Sequence, residues 1–308
     1  MDEIQNLQWF PGHMKKTERL IQENLALVDL VIEVLDARIP FSSRNPMFRE
    51  LFADKARLSV FTKIDLADPE ETERWLNYFR ADINDAVAID AVKGTGIKSL
   101  VAAARKLAET KTHRLVKHGA RPRAARAMIV GIPNVGKSSL INRLAGASSA
   151  KIENRPGVTR SKQWIKIDAG LDLLDTPGIL YPKFEDQNVA VKLAWTYALS
   201  DEIYDLEPVV CKLLETLAEK IPDSLRERFK LTELPSDPHE LLNQIGAKRG
   251  CIRKGGVVDV ERAAKLVLTE FRAGKIGRVT LDRAPREIVV FELEVSGEDC
   301  TVKFPAES

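Results

Sequence analysis

The stretch Gly131-Ile132-Pro133-Asn134-Val135-Gly136-Lys137-Ser138 decides how the rest of the chain is read. It fits the pattern G-x-x-x-x-G-K-[ST] in the context where that pattern has a physical purpose, between a strand and a helix. The apolar run 127–130 before it predicts the strand, and residues 137–144 after it predict the helix. Its glycines let successive backbone N–H groups turn inward around nucleotide phosphates, and the helix N-terminus adds positive potential. In such a loop Lys137 reaches the β and γ phosphates and the Ser138 hydroxyl coordinates Mg²⁺, with Asn134, Val135, Gly136 and Ser139 completing the nucleotide contacts. A purely structural glycine turn is the alternative, and the flanking strand and helix argue against it.

Working outward, short β-branched runs alternate with helical spacing through the first 180 residues or so, the pattern of a parallel sheet with crossover helices. Strands are predicted at 30–35, 58–61, 86–89 and 127–130, and helices near 46–53, 69–79, 97–110 and 137–144. Residues 163–167 and 171–174, on either side of Asp168-Ala169-Gly170, read as an antiparallel hairpin. After about Glu185 the strand signal gives way to helical spacing: Val260, Ala264, Val267 and Phe271 share one face behind a cap at Asp259. The expected architecture is α/β, with a mostly parallel sheet over 1–185, a smaller α-helical domain over 186–283, and a tail over 284–308 holding a β-hairpin.

The chain of 308 residues is 44% hydrophobic and 30% charged with 17 Gly and 15 Pro, which excludes collagenous and wholly disordered classes. Its net charge of +2 gives no bulk signal for nucleic acid, so any such signal must be local. Cys211, Cys251 and Cys300 lack paired spacing, which argues against a zinc site or a disulfide framework. The acidic start and the interrupted run at 25–35 predict neither a signal peptide nor a membrane span, and the expectation is a cytoplasmic monomer. The stretch 111–126 carries six Lys or Arg and no acid; it reads as a solvated linker or as an arm that touches phosphate.

Downstream of the phosphate loop, Asp175-Thr176-Pro177-Gly178 follows an apolar strand. There Asp175 can hold a Mg²⁺-bound water and Gly178 can present its N–H to the γ-phosphate. Between the two lies Arg155-Pro156-Gly157-Val158-Thr159, whose Thr159 is the candidate to close over metal and phosphate. Base recognition is found upstream. Thr62-Lys63-Ile64-Asp65 resembles the Asn-Lys-x-Asp guanine box: the Asp65 carboxylate can accept from both N1–H and N2–H of guanine, a donor pair adenine lacks, while Lys63 lays its stem over the base. At the next strand end, Asp90-Ala91-Val92-Lys93 stands where Ser-Ala-Lys is usual, and the Ala91 N–H can donate to guanine O6.

The last two boxes of the usual GTPase order therefore come first. Every box still falls at the carboxyl end of a strand, the edge on which open α/β sheets bind ligands, so circular permutation preserves the site. The permuted order, with Trp9-Phe10-Pro11-Gly12-His13-Met14, Asp36-Ala37-Arg38-Ile39-Pro40, Lys254-Gly255-Gly256 and Gly274-Lys275-Ile276-Gly277, resembles the YlqF-type ribosome biogenesis GTPase A family over nearly the whole chain.

That resemblance implies GTP hydrolysis on the large ribosomal subunit during its late assembly, and a helical domain that binds RNA. It implies a catalytic role for His13, since Ile179 stands where many GTPases carry a water-orienting glutamine. It also ties Asn134 to a K⁺ requirement. Local charge agrees with an RNA surface: residues 246–283 hold ten Lys or Arg against four Asp or Glu, and Lys248, Arg249, Arg253, Lys254 and Arg272 are the candidate phosphate contacts. A nucleotide-gated protein-binding module with incidental hydrolysis is the alternative, and an ATP-using enzyme is disfavoured by Asp65. Two positions depart from the family pattern, Thr62 for asparagine and Asp90 for serine; neither touches the Asp65 logic, so guanine selectivity is expected to hold with weaker affinity.

Overall fold

The computed structural model describes residues 21–82, 85–117, 123–147, 152–153, 164–168, 170–174 and 186–285. Strand β1 (Leu30–Asp36) is buried along its whole length, as a central parallel strand covered on both faces must be. It is flanked by β2 (Ala56–Thr62) and β4 (Ala125–Val130), with β3 (Asp85–Ala88) outside β2. On the other side β7 (Leu171–Leu174) follows β4, then β6 (Trp164–Asp168) and β5 (Ile152–Glu153). The order β3-β2-β1-β4-β7-β6-β5 is parallel from β3 to β7, and only β6 and β5 run antiparallel to their neighbours. The carboxyl ends of β3, β2, β1, β4 and β7 consequently share one edge.

Helices α1 (Met47–Leu51), α2 (Pro69–Asp82), α3 (Ile97–Lys117) and α4 (Lys137–Ala147) are interspersed among the strands. Helix α3 runs past the expected end at Thr110 because no breaker precedes Gly119, so the front of the basic stretch is helix. Its far end is structural too. Arg123 makes a two-pronged pair with buried Asp29 at 2.7 and 2.9 Å, and the Arg126 guanidinium lies 5.3 Å from the centre of the Trp164 ring. Arg123 and Arg126 are thereby withdrawn from any phosphate-touching arm.

Beyond Asp186 the described chain is helical: α5 (Gln187–Trp195), α6 (Leu206–Lys220), α7 (Pro222–Phe229), α8 (Pro238–Lys248) and α9 (Val260–Arg272). Four of them start at an aspartate whose carboxylate accepts a backbone N–H of the first turn: Asp186, Asp205, Asp237 and Asp259. On α9 the expected stripe of Ala264, Val267 and Phe271 is buried. It joins Leu213, Leu217, Leu242 and Ile245 in an apolar cluster that continues without a break to Ile32 and Ile129 of the sheet. After α9 the chain turns back to the sheet, and Ala284 is buried there. Residues 276–285 therefore belong to the packed body, while the expected hairpin near 288–304 lies outside the described residues. No helix among the described residues is long and apolar enough to cross a membrane.

On β1, Glu33 is 1% exposed, and the Asn45 backbone N–H and the nearby Arg44 and Arg57 only partly offset the burial of its carboxylate. Burial raises its carboxyl above the ordinary range, against the opposing pull of Arg44 and Arg57. A raised carboxyl weakens the fold once pH exceeds its unfolded value of 4.5. Glu33→Gln is therefore expected to raise the thermal midpoint by roughly 2–4 °C at pH 8, with the gain fading as pH falls toward 4.5 in melts followed by circular dichroism.

Candidate functional site

The phosphate loop leaves β4 at Val130 and enters α4 at Lys137, the strand-to-helix passage expected from its sequence. Two of its glycines need special backbone. Gly136 has φ of +102°, and Gly131 passes so close to β1 that a Cβ there would sit 2.6 Å from Val34 O. Lys137 is nearly buried, and its Nζ donates to Gly131 O at 3.0 Å and Ile132 O at 2.7 Å. The ammonium thus lies inside the loop it serves. Ser138 and Ser139, on the first turn of α4, are exposed.

Thr62 ends β2, and its hydroxyl is within hydrogen-bond reach of Leu35 O at 3.0 Å and of Val135 O in the phosphate loop. One hydroxyl proton can serve only one carbonyl at a time, where an asparagine amide would offer two donors. Even so, the departure at this position keeps a direct link between base box and phosphate loop. Lys63 extends the link. Its Nζ donates to Asp36 Oδ2 at 2.8 Å and to Asn134 O at 2.7 Å, and both Lys63 and Asn134 hold left-handed backbone, φ +57° and +59°. Asp65 follows with its carboxylate exposed to solvent on the same edge.

Asp36, at the end of β1, is the hidden centre of the arrangement. Its carboxylate takes Arg38 Nε at 3.0 Å, Arg38 Nη2 at 2.7 Å and Lys63 Nζ. Burial by itself would raise this carboxyl, but the Arg38 guanidinium and the Lys63 ammonium outweigh it and hold the group well below the carboxylate range. Burial in turn lowers the Lys63 ammonium against the pull of Asp36.

In the third box, Asp90 Oδ1 accepts from Val92 N and Lys93 N, both at 2.9 Å. The aspartate does locally what a serine would do more weakly, organising the turn that carries Ala91. Arg143, on the helix that begins at the phosphate loop, braces the same turn through Nε to Ala91 O at 2.7 Å.

The helical part of the chain reaches this edge directly. Asn134 Nδ2 donates to Tyr197 O at 2.7 Å, and Tyr197 itself sits at φ +67°. Arg272 lies 4.7 Å from the Tyr197 ring centre and donates to Ala194 O, Trp195 O and both oxygens of Asp201. Arg272 is therefore a structural clamp, and its assignment as a phosphate contact is corrected. Arg249 is likewise committed: it donates to Arg228 O and Glu270 and lies over Phe229. Of the five basic candidates, Lys248, Arg253 and Lys254 are exposed around the turn 251–258, with Arg253 held by Asp259 at 2.9 Å.

Thr62, Lys63, Asp65, Asp90, Ala91 and the loop 131–139 thus share one edge of the sheet. His13, Thr159, Asp175 and Gly178 lie outside the described residues. Asp36, Arg38, Arg143 and Tyr197 carry roles that no motif assigned; Asp36 and Arg38 were visible as a charged pair directly after an apolar strand. Replacing Asp36 by asparagine leaves the buried Arg38 guanidinium and the half-buried Lys63 ammonium without their counterion, and the expected loss of stability is roughly 3–5 kcal/mol at neutral pH. Because a lowered carboxyl stabilises only above its unfolded value of 3.8, the gap between wild type and Asp36→Asn closes as pH falls below it in urea titrations.

Comparison with known proteins agrees with this geometry. A family model described as "50S ribosome-binding GTPase" matches residues 126–232. "Ribosome biogenesis GTPase A" of Priestia megaterium is 50% identical over 277 residues, covering 90% of this chain and 96% of that one. The Bacillus cereus protein of the same name is 49% identical, covering 90% and 93%. The crystal structure of GNP-bound YlqF from T. maritima superposes with a TM-score of 0.63 at 31% identity, over 87% of this chain and 98% of that one. With its base box ahead of its phosphate loop and both on one sheet edge, this chain is a GTPase and belongs to the ribosome biogenesis GTPase A (YlqF) family.

Proposed function

We propose that this GTPase assists late assembly of the large ribosomal subunit and that the ribosomal particle stimulates its hydrolysis of GTP to GDP and phosphate. One observation carries the reading: the phosphate loop is bonded through Asn134 to Tyr197 of the helical part, and Arg272 of α9 clamps Tyr197. The other end of α9 adjoins the exposed basic turn with Arg253 and Lys254. A change at the nucleotide thus has a short packed route to a surface suited to RNA phosphate. The relatives' names, which mention ribosome biogenesis, and the family model's description, which mentions 50S ribosome binding, support the same partner.

In this reading Asp65 accepts from N1–H and N2–H of guanine, Lys63 covers the base, and the Ala91 N–H meets O6. Val135, Gly136, Lys137 and Ser139 hold the phosphates with Gly178. The exposed Ser138 hydroxyl at the head of α4 is a hard oxygen donor beside the phosphates, suited to Mg²⁺, and Thr159 and Asp175 complete its protein side. Bound there, Mg²⁺ neutralises charge on the transferring phosphoryl group. The Asn134 amide nitrogen is used by Tyr197, so its oxygen is the atom left for K⁺. His13 orients the attacking water, a task that the alkyl side chain of Ile179 cannot perform.

The test is GTP turnover with and without purified large subunits, in K⁺ and in Na⁺. Wild type is expected to be stimulated in K⁺. His13→Ala binds GDP normally and loses the stimulation, Lys137→Ala loses nucleotide binding, and the paired change Arg253→Glu with Lys254→Glu loses association with the subunit. Turnover indifferent to the subunit, with no association in GTP or GDP, contradicts the proposal.

A further inference from the structure

The polypeptide leaving α9 does not stop at the helical bundle; it crosses behind the loop that carries Asp65. Arg278 Nη2 donates to Ile64 O at 2.9 Å and its Nε donates to Ala67 O at 2.8 Å, so one guanidinium bridges two carbonyls of that loop. Next to it, Val279 N donates to Leu66 O at 3.1 Å. Thr280 Oγ1 accepts from Asp68 N at 3.1 Å and donates to Ala37 O at 3.3 Å. Leu281 N reaches Arg38 O at 2.7 Å, and Asp282 is buried against Ser42 and Lys192. Leu66 packs so tightly here that a Cβ on Gly274 would meet its Cδ2 at 2.4 Å.

A turn needs some of its own backbone groups satisfied locally, and the turn after β2 has one such bond, Leu66 N to Lys63 O at 2.9 Å. The carbonyls of Ile64, Leu66 and Ala67 instead take donors from residues 278 and 279, more than 200 positions later. Asp65 itself is exposed and lies between two of the carbonyls so held. We infer that Arg278 is a positioning residue for guanine specificity: its two-pronged grip on Ile64 O and Ala67 O fixes the loop so that the Asp65 carboxylate meets N1–H and N2–H together. The inference rests on the proposed role of Asp65 as the guanine reader. A rigid fork suits the task, since a lysine ammonium cannot span the two carbonyls in the same geometry.

The reporter is the preference for GDP over inosine diphosphate, which lacks the N2 amine and so forfeits one of the two bonds to Asp65. Both are measured on the full-length protein by competition against a fluorescent GDP. For Arg278→Met the preference is expected to fall roughly 3- to 10-fold, most of it through weaker GDP binding. Arg278→Lys, which keeps the charge but not the fork, should fall in the same direction. Arg283→Met, an equal loss of charge at an exposed neighbour in the same segment, should keep the wild-type preference.

Separately, Asp65→Asn should shift preference toward xanthosine diphosphate, whose C2 oxygen accepts from the asparagine amide. If that shift occurs and both Arg278 variants keep the wild-type preference, or lose GDP and inosine diphosphate affinity equally, the role of Arg278 is overturned. If Asp65→Asn produces no shift, the guanine reading beneath it fails instead.

Discussion

The nucleotide edge depends on one half-buried ammonium. Lys63 Nζ stands between the Asp36 carboxylate and the Asn134 carbonyl, and these three residues follow or end β2, β1 and β4, the three adjacent central strands. Burying a charge is costly unless it is paired and hydrogen-bonded. Here the carboxylate also takes two guanidinium donors from Arg38, so both signs of charge are satisfied within the cluster. The consequence is geometric. The turn proposed to read the base and the loop proposed to hold the phosphates cannot move apart without breaking the ammonium-to-carbonyl hydrogen bond from Lys63 to Asn134, although 71 positions separate the two residues.

This explains why a reversed order of boxes costs the site nothing. Parallel strands set side by side present their carboxyl ends together, whichever of them comes first in the chain. What permutation changes is the attachment. The segment after β7 leads directly into α5, and the helical part returns to touch the site at two places, Tyr197 at the phosphate loop and residues 278–282 behind the base turn. An apolar cluster running from Ile32 and Ile129 to Val267 and Phe271 makes those contacts part of one packed body. Arg38, whose guanidinium serves Asp36, also lies 5.4 Å from the centre of the Phe271 ring, so the central ionic cluster and α9 share a side chain.

Much of this was legible in the sequence. The phosphate loop, the four predicted parallel strands, the β6–β7 hairpin and the Asp259 cap follow from local pattern, because glycine placement, β-branched runs and capping aspartates act over a few residues. The position of the proposed base box at a strand end beside the phosphate loop was legible despite Thr62. What could not be read were partnerships across distance. Arginines in sequence look alike whether free or engaged, and Arg249 and Arg272 are half-buried and engaged because Glu270 and Asp201 meet them in space. Arg123, though exposed, and Arg126 are likewise engaged at a distance, by Asp29 and by the Trp164 ring. Asp36 was quoted as part of a motif, but its role needed the register that sets it opposite Thr62. The turn of 276–285 back onto the sheet left no periodic signal, since it is neither helix nor strand.

The turn at residues 62–65 and the phosphate loop are tied into one unit by the contacts of Thr62 and Lys63. The most direct test is the equilibrium affinity for GDP of Thr62→Val, which keeps the shape of the side chain and removes the hydroxyl that reaches Leu35 O and Val135 O. Loss of a buried hydrogen bond of about 1–2 kcal/mol predicts an affinity roughly 5- to 30-fold weaker, with the protein still folded. An affinity equal to that of the wild type would contradict the coupling.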